Sequence, residues 1–180
     1  AAAAAVLCIQ EGISTKIIKR SLKNFMGINR RMQVLGEISI NGSSCVLVDD
    51  YGHHPSEIKS TIDSIRESFP NKNLNMVFQP HRYTRTNDLF SEFVNVLTEV
   101  DNLILLDIYS AGESPINGVN SKELMKKLLD QGFNEIKLLN SSNEIIRSLE
   151  DKVNNDSVLI MQGAGNISDL SSEIKNKYSG

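Results

Sequence analysis

The 180-residue chain has 40% hydrophobic and 23% charged residues, the composition of a globular protein with a substantial core. Its net charge of −3 argues against a nucleic-acid-binding protein with a broad basic face, and the sequence has no apolar run of about 18 residues that could cross a membrane. Cys8 and Cys45 lie far apart among apolar neighbours, which favours two reduced thiols in a cytoplasmic protein over a disulfide or a metal site.

The amino-terminal segment predicts two helices. The apolar stretch from Ala1 to Ile9 runs into Gln10–Gly12, a glycine-terminated helix end, and has neither the basic start nor the cleavage site of a secretory signal. Residues 15–24 carry apolar side chains at helical spacing. We expect the chain to begin within a helix, as a fragment would, and place a domain boundary in the connector 25–31.

The remaining residues alternate between strands and helices. Asn41-Gly42 joins two strands with a strong hairpin signal, and Pro55 suits the first turn of a helix. Asn120 with Glu123, and Ser141 with Glu144, have the spacing of helix capping boxes. The predicted strands are 32–40, 45–48, 74–78, 103–106, 136–139 and 158–161, and helices are expected to begin near 55, 88, 120, 141 and 167. This order predicts an α/β, Rossmann-like, mostly parallel sheet with flanking helices and an N-terminal hairpin.

Four strands end in polar loops, at the edge where open α/β sheets build binding crevices. The loops are 49–55, 79–86, 107–113 and 162–166, and the first two contain His53, His54 and His81, all three histidines of the chain. Clustering of this kind favours function over packing, although His54, directly before Pro55, is better explained as a structural residue. The sequence of loop 107–113 is typical of an ordered loop but indicates no functional role.

The second loop carries two cations three residues apart, Arg82 and Arg85. A turn or short helix would direct both guanidinium groups the same way, toward a carboxylate or phosphate that arginine binds in bidentate fashion. Ordinary surface ion pairs are the alternative. Gly163-Ala164-Gly165 has an incomplete phosphate-binding pattern, so close backbone packing explains these glycines better. No metal-ligand spacing and no Gly-x-x-x-x-Gly-Lys-Ser/Thr loop occurs in the sequence.

Taken in order, the four loop sequences resemble those of the Mur ligases, specifically the branch that adds L-alanine to UDP-N-acetylmuramate in peptidoglycan synthesis. The segment Gln-Pro-His-Arg-Tyr-Thr-Arg-Thr at 79–86 is the most specific part, and the resemblance covers essentially the whole chain. It implies that residues 1–30 are the tail of a central ATP-binding domain with its linker, and that residues 31–180 are the C-terminal, Rossmann-like domain. It also implies cytoplasmic localisation and ATP with Mg²⁺ as cofactors of the full-length enzyme, none held tightly by this fragment.

The resemblance further implies roles for individual residues. Tyr51, His53, Arg82 and Arg85, with His81 as a weaker candidate, would line the L-alanine site, and the two arginines would hold its carboxylate. Asp50 would contact the ATP ribose and Arg31 an ATP phosphate, while no metal ligand is expected in the fragment. His53 is the candidate base for the alanine ammonium, because imidazole titrates near neutrality.

Two other functions stay open at this point. One is a peptide-recycling ligase that joins a ready-made peptide to the same nucleotide sugar, although segment 79–86 is not expected in that branch. The other is a non-catalytic module that binds nucleotides or amino acids. Because the phosphate loop is absent, we do not expect the chain to be active alone, and its partners would be L-alanine, UDP-N-acetylmuramate and ATP, with neither nucleic acid nor membrane.

Overall fold

The computed structural model describes residues 2–25 and 27–179, so Ala1, Gly180 and Met26, a member of the predicted connector, lie outside the described residues. Within these ranges the helices are α1 (Ala2–Gln10), α2 (Thr15–Lys23), α3 (Pro55–Ser68), α4 (Tyr83–Asp88), α5 (Phe90–Leu97), α6 (Ser121–Asp130), α7 (Ser142–Lys152) and α8 (Ile167–Tyr178). The strands are β1 (Gln33–Ile40), β2 (Ser43–Asp50), β3 (Asn73–Phe78), β4 (Asn102–Leu105), β5 (Ile136–Leu138) and β6 (Ser157–Gln162).

The strands form one sheet in the order β1-β2-β6-β3-β4-β5. Only the β1–β2 pair is antiparallel among the described strands, and its turn residues Asn41 and Gly42 have φ angles of 49° and 81°, as a two-residue hairpin requires. The predicted fold class is therefore confirmed. Since β2, β6, β3 and β4 run parallel, their carboxyl ends meet at one edge, which we call the carboxyl edge; the opposite edge is the amino edge.

Apolar side chains fill the space on both faces of the sheet. Ile58 of α3, Phe93 of α5 and Leu124 of α6 are completely buried in one cluster. Ile145 of α7 and Ile174 of α8 belong to the cluster on the other face. The strands buried between these layers carry almost continuous apolar runs, as expected for parallel strands covered on both sides. This three-layer core fixes the strand ends that position the loops.

The amino-terminal helices contribute little to that core. Helix α1 buries no residue and α2 buries only Ile18. Large apolar side chains are exposed here instead, including Leu7 (61%), Phe25 (62%) and Ile28 (65%). The predicted boundary near residue 30 agrees with this change in packing and stays a prediction. None of the helices in the described ranges has the length and apolar character needed to cross a lipid bilayer.

Two local predictions need correction. We expected one helix to begin near residue 88, but the structure forms α4 and α5, separated by Leu89 with a non-helical φ of −116°. The polar segment of α4 lacks an apolar periodicity, so the hydrophobic pattern could not reveal it. Ser141 precedes α7 but makes no capping hydrogen bond through its side chain, whereas Asn140 beside it bonds Asp107. By contrast, the Asn120 side chain caps α6 by accepting from Glu123 N.

Candidate functional site

Two buried glutamine side chains tie the strand-end loops together at the carboxyl edge. Gln162 Nε2, at the end of β6, donates to Asp50 Oδ1 (2.8 Å) and to Gly52 O (2.6 Å) in the loop after β2. Gln79, at the end of β3, donates to Asn166 Oδ1 (2.8 Å) and accepts from Ile167 N (3.2 Å). The loops are therefore held in fixed relative positions by side chains for which the sequence predicted no role.

Asp50, the predicted ribose ligand, is almost fully buried and serves the loop geometry. Its Oδ1 accepts from Gly52 N (2.7 Å) as well as from Gln162, and its Oδ2 accepts from Met32 N (2.6 Å). The carboxylate thus joins the start of β1 to the ends of β2 and β6. A ribose contact would have to use a remaining acceptor site of these oxygens, and it stays a prediction.

Four aromatic side chains from three loops form a continuous row, which we call the ring row: Tyr51, His53, His81 and Tyr109. Neighbouring ring centroids are 5.3 Å, 5.5 Å and 5.5 Å apart, and His81 stacks on Tyr109 with an interplanar angle of 16°. The structure therefore brings His53 and His81 together. His54, as expected, is structural: its side chain caps α3 by accepting from Ser56 N.

The hydrogen bonds of His53 define which ring nitrogen is free. Its Nδ1 lies 3.1 Å from Tyr51 O, which can only accept, so Nδ1 is the donor and in the neutral ring the lone pair lies on Nε2. Glu57 supports this arrangement by accepting from His53 N (3.0 Å), with its Oε2 3.9 Å from Nδ1. Although burial opposes ionisation, the backbone N–H groups of His53 and His54 hold the pKa of Glu57 below its usual value.

His81 has the opposite tautomer. Arg85 Nη1 donates to His81 O (3.0 Å) and approaches its Nδ1 (3.2 Å); because guanidinium has no acceptor, Nδ1 is unprotonated and Nε2 carries the proton. Burial, together with the neighbouring His53, Arg85 and Arg82, lowers the pKa of His81. His81 is therefore a neutral hydrogen-bond donor at pH 7, whereas His53 offers an acceptor.

The two predicted carboxylate ligands have different partners. Arg85 lies in α4 and turns back to His81, whereas Arg82 precedes α4 with a half-exposed side chain whose Nη1 is 3.7 Å from Glu113 Oε1. We expected the two guanidinium groups to point the same way, but their contacts lie in different directions. Both arginines nevertheless belong to the loop that holds His81 in the ring row, and Arg82 presents most of its donors to solvent.

Arg30 and Arg31 lie at the other end of the ring row, with their guanidinium carbons 5.0 Å and 5.5 Å from the Tyr51 ring. The Arg31 side chain is half exposed and donates to Glu57 Oε1 (3.3 Å), so it is available to an anion such as phosphate. Arg30 is less exposed, donates to Gly163 O (2.6 Å) and lies 3.6 Å from the buried Asp49. Burial raises the pKa of Asp49 despite this arginine.

Close packing explains the glycines after β6. Gly163 has φ of +145°, and a Cβ there would lie 2.7 Å from Gln79 O; a Cβ on Gly165 would lie 2.7 Å from Tyr109 Cγ. Among residues 2–25 and 27–179, no group of three or more histidine, cysteine, aspartate or glutamate side chains is arranged to hold a metal ion.

Sequence reasoning missed Gln79, Gln162, Glu57, Glu113 and Tyr109. All five stand in or beside the polar strand-end loops, so their position was a usable signal, but the contacts of the four other than Glu57 join residues far apart in the chain. Glu57 alone had a local signal, because it occupies the third position of α3 in a capping box with His54.

Comparisons with known sequences and with solved structures both find ligases. UDP-N-acetylmuramate–L-alanine ligases from Buchnera aphidicola strains are 45% identical over 179 residues, covering 97% of this chain and 37% of the relative's length. A UDP-N-acetylmuramate–alanine ligase structure from Thermotoga maritima superimposes with a TM-score of 0.75 at 23% identity, covering 96% of this chain and 35% of that chain. A murein peptide ligase from Psychrobacter arcticus gives 0.67 at 18% identity, with 96% and 35% covered.

The chain therefore spans little more than a third of the length of these relatives, and the structural likenesses show the shared fold. The family model described as "Mur ligase, glutamate ligase domain" matches residues 30–165, which include the first three strand-end loops and all but the last residue of the fourth. The chain belongs to the Mur ligase family.

Proposed function

We propose that this chain supplies the amino-acid-acceptor side of an ATP-dependent ligase that joins L-alanine to UDP-N-acetylmuramate in peptidoglycan synthesis. The observation that carries the proposal is the ring row with its arginines, on a chain 45% identical to the L-alanine ligases of Buchnera. The proposal makes residues 31–180 the C-terminal domain and residues 1–30 the tail of a central ATP-binding domain. It also places the enzyme in the cytoplasm, where ATP and nucleotide sugars are available.

L-alanine would bind beside the ring row through both of its ends. Arg82 presents guanidinium N–H groups for its carboxylate, and Arg85, after release of one contact to His81, is the second donor. Tyr51, His53 and His81 would line the amino group and methyl group. Holding the acceptor in this way aims its amine at the activated carboxylate, an effect that contributes up to about 7 kcal/mol in well-oriented reactions.

His53 is the proposed catalytic base. Its Nδ1–H is held by Tyr51 O, so the free Nε2 lone pair can accept a proton from the alanine ammonium and leave the amine nucleophilic. His81 cannot perform the same task in this arrangement, because its Nε2 carries the proton and its Nδ1 faces Arg85. We therefore give His81 a donor role toward the substrate.

ATP, bound with Mg²⁺, would supply the phosphoryl group that activates the lactyl carboxylate of the nucleotide sugar. Few of the residues here suit ATP. Arg31 offers a half-exposed cation for a phosphate, and Asp50 offers a buried carboxylate at the end of β2. Neither suffices to hold a triphosphate, so the phosphates and metal ion would be bound mainly by the part of the enzyme corresponding to the other two thirds of the relatives.

The test uses a chimaera in which this chain replaces the matching part of the Buchnera ligase. We expect phosphate release that depends on both L-alanine and UDP-N-acetylmuramate, and no such release from the 180-residue chain alone. A tripeptide accepted in preference to free L-alanine would support the peptide-recycling alternative. No activity with either acceptor, from a chimaera shown to be folded and to bind ATP, would support the non-catalytic module.

Arginine variants test the acceptor site directly. A bidentate guanidinium–carboxylate contact contributes about 1.5–3 kcal/mol, so Arg82→Ala and Arg85→Ala should each raise the KM for L-alanine by about 10- to 150-fold. Arg82→Lys should recover only part of this loss, because lysine lacks the planar fork. Arg147→Ala, on the exposed face of α7, is the matched control. A rise confined to the KM for ATP would instead assign both arginines to the nucleotide.

A further inference from the structure

The loop 107–113, which the sequence left without a role, holds Arg82 in place. The backbone of Arg82 has φ of 74°, a left-handed conformation that side-chain-bearing residues rarely adopt. Three hydrogen bonds keep it there: Arg82 N donates to Tyr109 O (2.8 Å), while Thr86 N (3.1 Å) and Thr86 Oγ1 (2.8 Å) donate to Arg82 O. Tyr109 therefore fixes the point from which the Arg82 side chain leaves the backbone.

The side chain of Arg82 is held by the last residue of the same loop. Glu113 is itself anchored, because Thr84 N donates to its Oε2 (3.0 Å) and Thr84 Oγ1 donates to its Oε1 (2.7 Å). These two hydrogen bonds from Thr84, reinforced by the Arg82 charge, lower the pKa of Glu113. The carboxylate is thus a fixed negative charge, 3.7 Å from Arg82 Nη1.

We propose that Glu113 is a positioning residue that orients the Arg82 guanidinium for the carboxylate of the amino-acid acceptor. This inference rests on the proposed function for the identity of the ligand. Guanidinium has five N–H donors, and one ion pair at 3.7 Å leaves most of them for a substrate carboxylate. Because Arg82 is long and half exposed, a fixed partner removes rotamers that binding would otherwise have to freeze.

The same geometry has a competing interpretation, which gives the opposite result. If Glu113 occupied the place of the substrate carboxylate, it would compete for Arg82, and its removal would strengthen alanine binding. Glu113→Gln separates the two cases, since the amide oxygen can still accept from Thr84 while the charge is lost. Thr84→Val is a second variant that loosens Glu113 without touching Arg82 or the Glu113 charge.

The first measurement uses the 180-residue chain and needs no ligase activity. The ¹⁵Nε–Hε NMR signal of Arg82, identified with Arg82→Lys, should show slow solvent exchange in the wild type and faster exchange in Glu113→Gln. Glu135→Gln is the control, because Glu135 pairs with Lys152 (2.6 Å) beside the amino edge. An Arg82 signal unchanged in Glu113→Gln would overturn the proposal.

The second measurement uses the chimaeric ligase. Glu113→Gln should raise the KM for L-alanine about 3- to 10-fold, with kcat and the KM for ATP nearly unchanged, and Thr84→Val should produce a smaller change in the same direction. A lower KM for L-alanine would establish competition, and a fall in kcat with a lower melting temperature would establish a structural role; either overturns the proposal. A wild-type chimaera without alanine dependence would refute the proposed function, while the Arg82 signal would still decide whether Glu113 holds Arg82.

Discussion

Asp50 and Asp101 lie at opposite edges of the same sheet, and both accept hydrogen bonds from backbone N–H groups. Asp50, at the carboxyl edge, is buried and accepts from Met32 N, Gly52 N and Gln162 Nε2. Asp101, at the amino edge, accepts from Leu74 N (2.6 Å) and pairs with Arg66 (2.9 Å), with 39% of its side chain exposed. At these two positions the carboxyl edge fixes its loops through a buried carboxylate, whereas the amino edge uses a partly exposed carboxylate in an ion pair.

Close packing of the backbone also differs between the two edges, although positive φ angles occur at both, as at Asn41 in the hairpin of the amino edge. Arg82 and Ala111 have positive φ angles in loops of the carboxyl edge, and Gly163 there packs directly against Gln79. At the amino edge Gly132 has φ of 84° after α6, but no atom would crowd an added Cβ. Strain and close packing occur together where the loops must be held in one arrangement, which is what a preorganised site requires.

The largest expected difference concerns the two aspartates. Asp50→Ala removes three hydrogen bonds and leaves two backbone N–H groups, of Met32 and Gly52, without their acceptor, so it should lower the free energy of unfolding by about 3–5 kcal/mol. Asp101→Ala removes one backbone acceptor and an exposed ion pair, so its cost should be about 1–2 kcal/mol. Urea unfolding of both variants, followed by circular dichroism, measures the difference. Equal losses would remove the distinction between the two edges.

A smaller difference is expected for the glycines. Gly163→Ala introduces a Cβ 2.7 Å from Gln79 O at φ of +145°, and should cost about 2–3 kcal/mol because backbone must shift. Gly132→Ala meets no neighbouring atom and should cost about 1 kcal/mol, from its left-handed backbone alone. Thermal unfolding of the two variants tests this order. A Gly163→Ala protein as stable as Gly132→Ala would mean that the carboxyl edge adapts freely.

Much of this architecture could be predicted from the sequence, because its signals are local. Asn41-Gly42, Pro55 and the apolar runs of β3 and β6 each specify a turn, a helix start or a buried strand within a few residues. The same locality identified His54 as structural. Helix α4 was expected only as a turn or short helix through Arg82 and Arg85, because its residues Tyr83–Asp88 form no apolar face, and its start depends on Arg82 being held by Tyr109.

The contacts within the candidate site were not accessible in this way. The sequence predicted that His53 and His81 would lie at one edge, since parallel strands place their ends together. It could not predict that Gln162 bonds Asp50 or that Glu113 bonds Thr84, because these pairs are separated by 112 and 29 residues. Nor could it determine the histidine tautomers, which depend on Tyr51 O and on the direction in which the Arg85 side chain turns.

The smallest expected effect is a titration within the carboxyl edge. Burial, then the charges of His53, Arg85 and Arg82, lower the pKa of His81 from its ordinary value of 6.5, so the folded protein binds this proton more weakly than the unfolded chain. The contribution of His81 to stability is therefore fully present above pH 6.5 and is lost as the pH falls below that value.

An NMR titration of the ring protons, with His81→Gln to identify the signal, should give a midpoint below 6.5. Arg85→Ala should move the midpoint upward, because it removes a neighbouring positive charge, whereas Arg66→Ala at the amino edge should leave it unchanged. A wild-type midpoint at or above 6.5 would show that burial and the neighbouring charges do not favour the neutral form of His81.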